Sequence, residues 1–195
     1  GDVSGKGVPA ALFMSTTISQ MRSVAMLDTS LNYIVNVINR SLIRNGNTSM
    51  FVTFFAGVLN LNTRRLRFCN AGHPYPLLIA PDGTVSFFKT ADNLPLGVTS
   101  DYEYEEQECY FAPGSQLLFY TDGVSEAQNE QSKFYKIDRL FNLVVSHSQL
   151  APRQMVDKVV GDVKRFVGKA EQSDDLTVMS FRLNPRGKKK IEGLL

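Results

Sequence analysis

Cysteine and histidine are scarce in this chain, which has two of each among its 195 residues. Cys69 and Cys109 lie far apart in strand-like segments, so we expect buried free thiols in a reducing compartment rather than a disulfide. A zinc site made from Cys69, His73 and Cys109 would lack the paired ligand spacing of such sites. No Gly-x-Ser-x-Gly elbow or catalytic-cysteine signature is present. These absences disfavour disulfide-rich, zinc-binding and cysteine-nucleophile proteins.

Long apolar runs are also missing, and no signal peptide is visible within these residues. No run approaches the roughly 18 residues that span a bilayer, and we expect a cytoplasmic domain without membrane contact of its own. The net charge is +2, and four of the cations lie in the last ten residues. Without them the body is nearly neutral, so we expect no nucleic-acid partner and a basic, flexible tail over residues 184–195.

The rest of the composition is that of an ordinary globular domain, with 43% hydrophobic and 21% charged residues. The length suits one domain, which we place at residues 1–183. Apolar residues at spacings of three and four predict a helical pair over residues 8–45. Pro9 suits a first helical position. Residues 28–30 interrupt the pattern and can cap the second helix. That helix ends at residues 45–47.

A β-rich region follows this helical pair. Its β-branched and aromatic runs are separated by turn residues, and two amphipathic helices and a last strand come after it. The predicted strands are residues 51–59, 66–70, 77–80, 85–88, 102–111, 116–120 and 176–181, and the later helices are residues 137–146 and 152–167. This order predicts an α+β fold, an α/β/β/α sandwich of two antiparallel sheets flanked by helices.

Aspartates stand at three strand–turn junctions, where a rigid element would hold each one at the rim of a sheet. They are Asp2, Asp122 and the neighbours Asp174 and Asp175. Converging carboxylates repel one another unless a cation holds them together, and Mg²⁺ and Mn²⁺ prefer oxygen ligands. Each aspartate is also suited to forming a turn, as in Asp82-Gly83. Spacing alone leaves both interpretations open.

The opening turn and the loop around His73 are the other candidate motifs. The turn resembles a phosphate-binding P-loop only superficially, because three residues rather than four separate Gly1 from Gly5, and Gly7 stands where Ser or Thr is needed. His73 could be a catalytic base. Its glycine and proline neighbours favour instead a side chain that fixes a loop.

Five motifs occur in order along the chain. They are Gly1-Asp2-Val3-Ser4-Gly5-Lys6-Gly7-Val8-Pro9-Ala10-Ala11, Asn70-Ala71-Gly72-His73-Pro74, Leu94-Pro95-Leu96-Gly97, Tyr120-Thr121-Asp122-Gly123-Val124-Ser125-Glu126-Ala127 and Asp174-Asp175-Leu176-Thr177. Together they resemble the metal-dependent protein phosphatase (PPM) superfamily, and most closely its bacterial branch of SpoIIE and RsbU, the serine phosphatases that regulate sigma factors. The resemblance extends from residue 1 to about residue 183.

The resemblance implies two packed antiparallel sheets flanked by helices, in agreement with the pattern above. It also implies hydrolysis of phosphoserine or phosphothreonine in a signalling protein of the anti-sigma antagonist type. Family members use two Mn²⁺ or Mg²⁺ ions and a metal-activated hydroxide, with no phosphoenzyme. In this branch the helical pair, here residues 8–45, is thought to be a switch and a dimer surface.

Site residues are carried over from the matching motifs. The resemblance implies that Asp2 bridges both ions and that the backbone carbonyl of Val3 binds one of them. It implies that Asp122 and Asp175 hold the other ion, with Asp174 adjacent or behind them. Eukaryotic relatives have a histidine, proposed as a general acid, where this chain has Ser4. The general acid therefore stays unassigned.

The chain as given also lacks the family's first strands and the Gly-Gly-Asp motif on one of them, whose aspartate contributes to the metal site. It starts in a glycine-rich turn without a methionine, so we expect it to begin inside a domain. We further expect an impaired metal site and weak or no phosphatase activity from these residues alone. The alternative function is that of a PPM-fold regulatory or dimerisation module with little catalysis.

Overall fold

The computed structural model describes residues 1–26, 30–45, 50–172 and 174–184. The predicted cap residues 28–29, the predicted helix end at 46–47 and all but the first residue of the predicted tail lie outside these residues. None of the helices in the described part is long and apolar enough to cross a membrane.

Eight strands and five helices make up the described part of the fold. The strands are β1 (Asp2–Val3), β2 (Val52–Leu59), β3 (Arg65–Ala71), β4 (Leu77–Ile79), β5 (Val85–Phe87), β6 (Gln107–Tyr110), β7 (Gln116–Tyr120) and β8 (Val178–Arg182). The helices are α1 (Gly7–Val24), α2 (Leu31–Asn45), α3 (Asp122–Ser125), α4 (Ile137–Ser146) and α5 (Pro152–Val167). The predicted helical pair and both later helices are confirmed, whereas β1 and α3 were not predicted.

The strands form two antiparallel sheets of four strands each, in the orders β1-β2-β3-β6 and β5-β4-β7-β8. This confirms the predicted α+β fold. In the first sheet Ala56 pairs with Cys69, and in the second Leu118 pairs with Ser180. Both cysteines are free, and burial raises the pKa of the Cys69 thiol to about 12.

Three apolar clusters hold the layers together. Phe68 and Leu117 belong to the cluster between the two sheets. Ile38 of α2 packs in a second cluster on the outer face of the first sheet. Leu118 faces the third cluster, under α4 and α5, because successive side chains of a strand point to opposite faces. The order of layers is helices, sheet, sheet, helices.

The predicted strand at 102–111 is too long, since only β6 forms there. Residues 102–106 are held by hydrogen bonds to another loop. The Glu105 amide donates to Asn93 Oδ1 at 3.0 Å, and the buried Tyr104 donates its hydroxyl to the Pro95 carbonyl at 3.1 Å. The aromatic residues that suggested a strand therefore reflect packing against this loop.

The start of α2 is capped from a distant part of the chain. Glu106 Oε2 accepts the backbone amides of Leu31 and Asn32 at 2.7 and 3.2 Å. The Ser30 hydroxyl, part of the predicted cap, donates instead to Asn32 Oδ1. Glu106 also pairs with Arg67 of β3 at 3.2 Å. One carboxylate thus ties the helix N-terminus to the first sheet.

Replacing Glu106 with alanine is expected to lower the free energy of unfolding by about 1 kcal/mol, because it leaves two helix amides without their acceptor. Urea denaturation would measure this loss. Glu108→Ala is the matched control, since Glu108 pairs with Arg65 on the surface and its side chain is 40% exposed. We expect Glu108→Ala to lower the free energy of unfolding by less than about 0.5 kcal/mol. Equal losses in the two variants would contradict the capping role.

Candidate active site

The short strand β1 places Asp2 beside β2, where it pairs with Thr53. Beyond the strand, the Ser4 amide donates to the Phe51 carbonyl at 2.9 Å, and the Phe51 amide donates to Ser4 Oγ at 2.8 Å. Gly5, with a φ of 84°, then turns the chain towards α1. The Ser4 hydroxyl therefore serves to anchor β1.

Asp122 begins α3 immediately beyond β7, at the sheet edge from which β8 starts. Thr121 joins the two segments, because its hydroxyl donates to the Asp175 carbonyl and accepts the Thr177 amide, both at 3.2 Å. Gly123 allows this close approach, since a Cβ atom there would lie 2.2 Å from the Asp175 carbonyl oxygen. The segment from 174 to 177 is thereby fixed against the start of α3.

Asp2 and Asp122 are brought close together. Burial raises the pKa of Asp2, and the charge of Asp122, with the hydrogen bond that a protonated Asp2 can share with it, raises it further. The Val3 amide donates to Asp2 Oδ1 at 3.0 Å, and this hydrogen bond lowers the pKa of Asp2. In the described part of the chain Asp122 Oδ1 is buried without a hydrogen-bond partner. Two neighbouring carboxylates with a buried, unpartnered oxygen fit a cation.

Asp174 is the third carboxylate of this region. Its charge also raises the pKa of Asp2, after the stronger effects of burial and Asp122. Asp174 Oδ1 accepts the Asp175 amide at 2.9 Å and lies 3.8 Å from Lys6 Nζ. A cavity of about 670 Å³ opens here, and its lining includes Asp2, Val3, Lys6, Gln172, Asp174 and Asp175.

The predicted site residues thus lie in one region but do not close around a single point. Among the residues that the structure describes, no three His, Cys, Asp or Glu side chains form a metal-binding group. Asp2 and Asp122 form a close pair, and Asp174 and Asp175 approach from the β8 side. The individual ligand roles, including that of the Val3 carbonyl, stay predictions. Sequence reasoning included Thr121 in the fourth motif but missed the role of its hydroxyl, because the hydrogen bonds of that hydroxyl join segments 54 and 56 residues apart.

His73 is buried and lies beyond Asp2 on the other side of Thr53. Its Nδ1 is 3.0 Å from Thr53 Oγ1. Burial lowers the pKa of His73 to about 4, so the ring is neutral near pH 7. Its 7% exposure agrees with a side chain that fixes a loop.

Comparison with known proteins identifies the family. The sequence matches Stage II sporulation protein E (SpoIIE) over residues 1–184. The chain belongs to the SpoIIE family. Phosphoserine phosphatase RsbU of Bacillus subtilis (strain 168) is 26% identical over 181 residues, which cover 93% of this chain and 53% of RsbU. The resemblance to the SpoIIE and RsbU branch is therefore confirmed.

Solved structures share the fold of this SpoIIE-family chain. The SiaA-PP2C domain of Pseudomonas aeruginosa has a TM-score of 0.75 and 24% identity, covering 93% of this chain and 73% of that one. A second structure is the catalytic domain of serine threonine protein phosphatase PstP in complex with two manganese ions. It has a TM-score of 0.66 and 13% identity, and the match covers 94% of this chain and 85% of that one. The chain spans about half or less of the length of the curated relatives it matches.

Proposed function

We propose that this SpoIIE-family domain is a metal-dependent protein-serine/threonine phosphatase that acts on a phosphorylated signalling protein of the anti-sigma antagonist type. The observation that carries the proposal is the close pair Asp2 and Asp122, with the buried, unpartnered Oδ1 of Asp122. Such a pair is unfavourable by itself and becomes favourable when divalent cations neutralise it. Membership of the family and the likeness to RsbU support the choice of phosphate hydrolysis.

The aspartates and one backbone carbonyl would hold two Mn²⁺ or Mg²⁺ ions. We propose that Asp2 bridges the ions, that the Val3 carbonyl binds one of them, and that Asp122 binds the other together with Asp174 or Asp175. The charge of Asp174 raises the pKa of Asp2, which supports including Asp174 beside Asp175 as a candidate for this role. The ions would supply activation of water and neutralise phosphate charge.

Partner contacts are part of the proposal. The substrate would be a phosphoprotein that reaches the cavity beside Asp2 and Asp174. A homodimer through the helical pair at residues 8–45 stays a proposal, supported by two apolar side chains of α1, Val8 and Leu12, which are 72% and 63% exposed.

Release of phosphate from a phosphoserine peptide tests the proposed activity. We expect slow release that rises at least about tenfold with Mn²⁺, returns to the background with a chelator, and is absent in Asp2→Asn. Asp157→Asn is the matched control, since it removes an exposed carboxylate of α5 and should keep the wild-type rate. A rate that is the same with and without metal, or that survives in Asp2→Asn, would contradict the proposal. Bound Mn²⁺ without hydrolysis would favour the regulatory module.

A further inference from the structure

The loop formed by residues 70–74 lies outside the aspartate cluster and is rigidly built. Asn70 Oδ1 accepts the His73 amide at 2.8 Å, and Asn70 Nδ2 donates to the His73 carbonyl at 2.9 Å. Gly72 has a φ of 71°, and a Cβ atom there would lie 2.6 Å from Pro95 Cγ. A loop held in this way keeps the imidazole of His73 in one position.

The imidazole is the first member of a hydrogen-bonded chain that leads to Asp2. His73 Nδ1 lies 3.0 Å from Thr53 Oγ1, which lies 3.4 Å from the Asp2 backbone carbonyl oxygen. The threonine hydroxyl has one proton. When it donates that proton to Asp2, it is left to accept a hydrogen bond from Nδ1–H of His73. This tautomer of the neutral ring makes the chain continuous.

The hydrogen-bonded chain ends on the short strand β1. β1 has two residues, and Asp2 faces Thr53 across the ladder. Ser4 anchors the far end of the strand to Phe51. Thr53 and His73 hold the near end, from which the Asp2 carboxylate extends.

We infer that His73 is a positioning residue for the Asp2 carboxylate, acting through the Thr53 hydroxyl to fix the β1 backbone. The inference rests on the proposed function, because that function assigns Asp2 to the metal site. His73 does not touch substrate or metal in this role. Outer groups that orient a ligand typically change metal affinity 10- to 100-fold when they are removed.

The experiment compares Thr53→Val, which keeps the shape of threonine without its hydroxyl, with Thr53→Ser, which keeps the hydroxyl without the methyl group. Mn²⁺ affinity is measured from the electron paramagnetic resonance signal of free Mn²⁺. We expect about tenfold weaker binding in Thr53→Val and near-wild-type binding in Thr53→Ser. His73→Leu should weaken binding similarly, whereas His73→Asn, whose amide nitrogen lies near the position of Nδ1, should restore much of it. Equal affinity in Thr53→Val and wild type would overturn the inference.

A second measurement does not depend on metal. Hydrogen exchange at the amides of residues 2–4 should be faster in metal-free Thr53→Val than in Thr53→Ser, because β1 has lost its hydroxyl anchor. If the wild type binds no Mn²⁺, the proposed function fails, and exchange still decides whether His73 and Thr53 hold β1. If the wild type binds Mn²⁺ and exchange is equal in the two variants, only the positioning role fails.

Discussion

Replacing Asp122 with asparagine is expected to abolish Mn²⁺-dependent hydrolysis and, at the same time, to stabilise the metal-free protein. The Asp122 charge raises the pKa of Asp2, which means that it disfavours the ionised form of Asp2. An asparagine removes that repulsion and can donate a hydrogen bond to Asp2. We expect a rate loss of about 100-fold or more, since several kcal/mol of charge stabilisation are lost. The metal-free unfolding free energy should rise by about 1 kcal/mol.

Differential scanning calorimetry with and without Mn²⁺ measures both effects. Mn²⁺ should raise the melting temperature of the wild type and raise that of Asp122→Asn much less, because a ligand stabilises a protein less when it binds less tightly. Asp157→Asn controls for the loss of one negative charge and should respond to Mn²⁺ like the wild type. An Asp122→Asn variant that is less stable without metal would show that Asp122 is a structural residue.

Gly123→Ala is expected to cost about 3 kcal/mol of unfolding free energy and to weaken Mn²⁺ binding. The added methyl group would lie 2.2 Å from the Asp175 carbonyl oxygen, a backbone atom that cannot rotate away. The segment from 174 to 177 would have to move from α3, and with it the carboxylates on the β8 side of the site. Chemical denaturation and Mn²⁺ titration of the same samples would measure the two losses.

Gly161→Ala is the control for this substitution, and it should raise the free energy of unfolding instead of lowering it. Gly161 lies inside α5, and a Cβ atom there meets nothing within 4 Å. Alanine is favoured over glycine in a helix by roughly 0.5–1 kcal/mol, so this variant should be more stable than the wild type. If both variants are destabilised equally, contact with the Asp175 carbonyl is not the cause.

Much of the fold was predictable from local pattern. The periodicity of residues 137–146 and 152–167 reproduced the bounds of α4 and α5, because their buried stripes are long and regular. The residue pattern predicts the wrong structure where contacts with a distant part of the chain replace the pairing of neighbouring strands. Tyr102 and Tyr104 suggested a strand, but their rings pack on each other and their hydroxyls contact the loop at residues 92–95. Nothing near residue 31 indicates that Glu106 caps its helix.

The candidate site was predictable in its residue types and not in its geometry. Asp2 and Asp122 stood at turns next to strands, and the structure brings them together. The Thr121 hydrogen bonds hold the segment with Asp174 and Asp175 against the start of α3, and no spacing rule contains these bonds. The role of His73 likewise depends on Thr53, a strand residue with no distinguishing signal of its own.

The pairing of β7 with β8 also has a consequence for folding kinetics. Leu117 pairs with Phe181 across α3, α4 and α5, and Asp2 meets Asp122 from the opposite end of the chain. The β2–β3 and β4–β5 hairpins close short loops and can form early, whereas contacts between distant segments form slowly. An intermediate with both hairpins and with α1, α2, α4 and α5 would show most of the circular dichroism of the native state without the paired carboxylates. Mn²⁺ binding would then report the last step of folding, and refolding followed by bound metal should lag behind refolding followed by secondary structure.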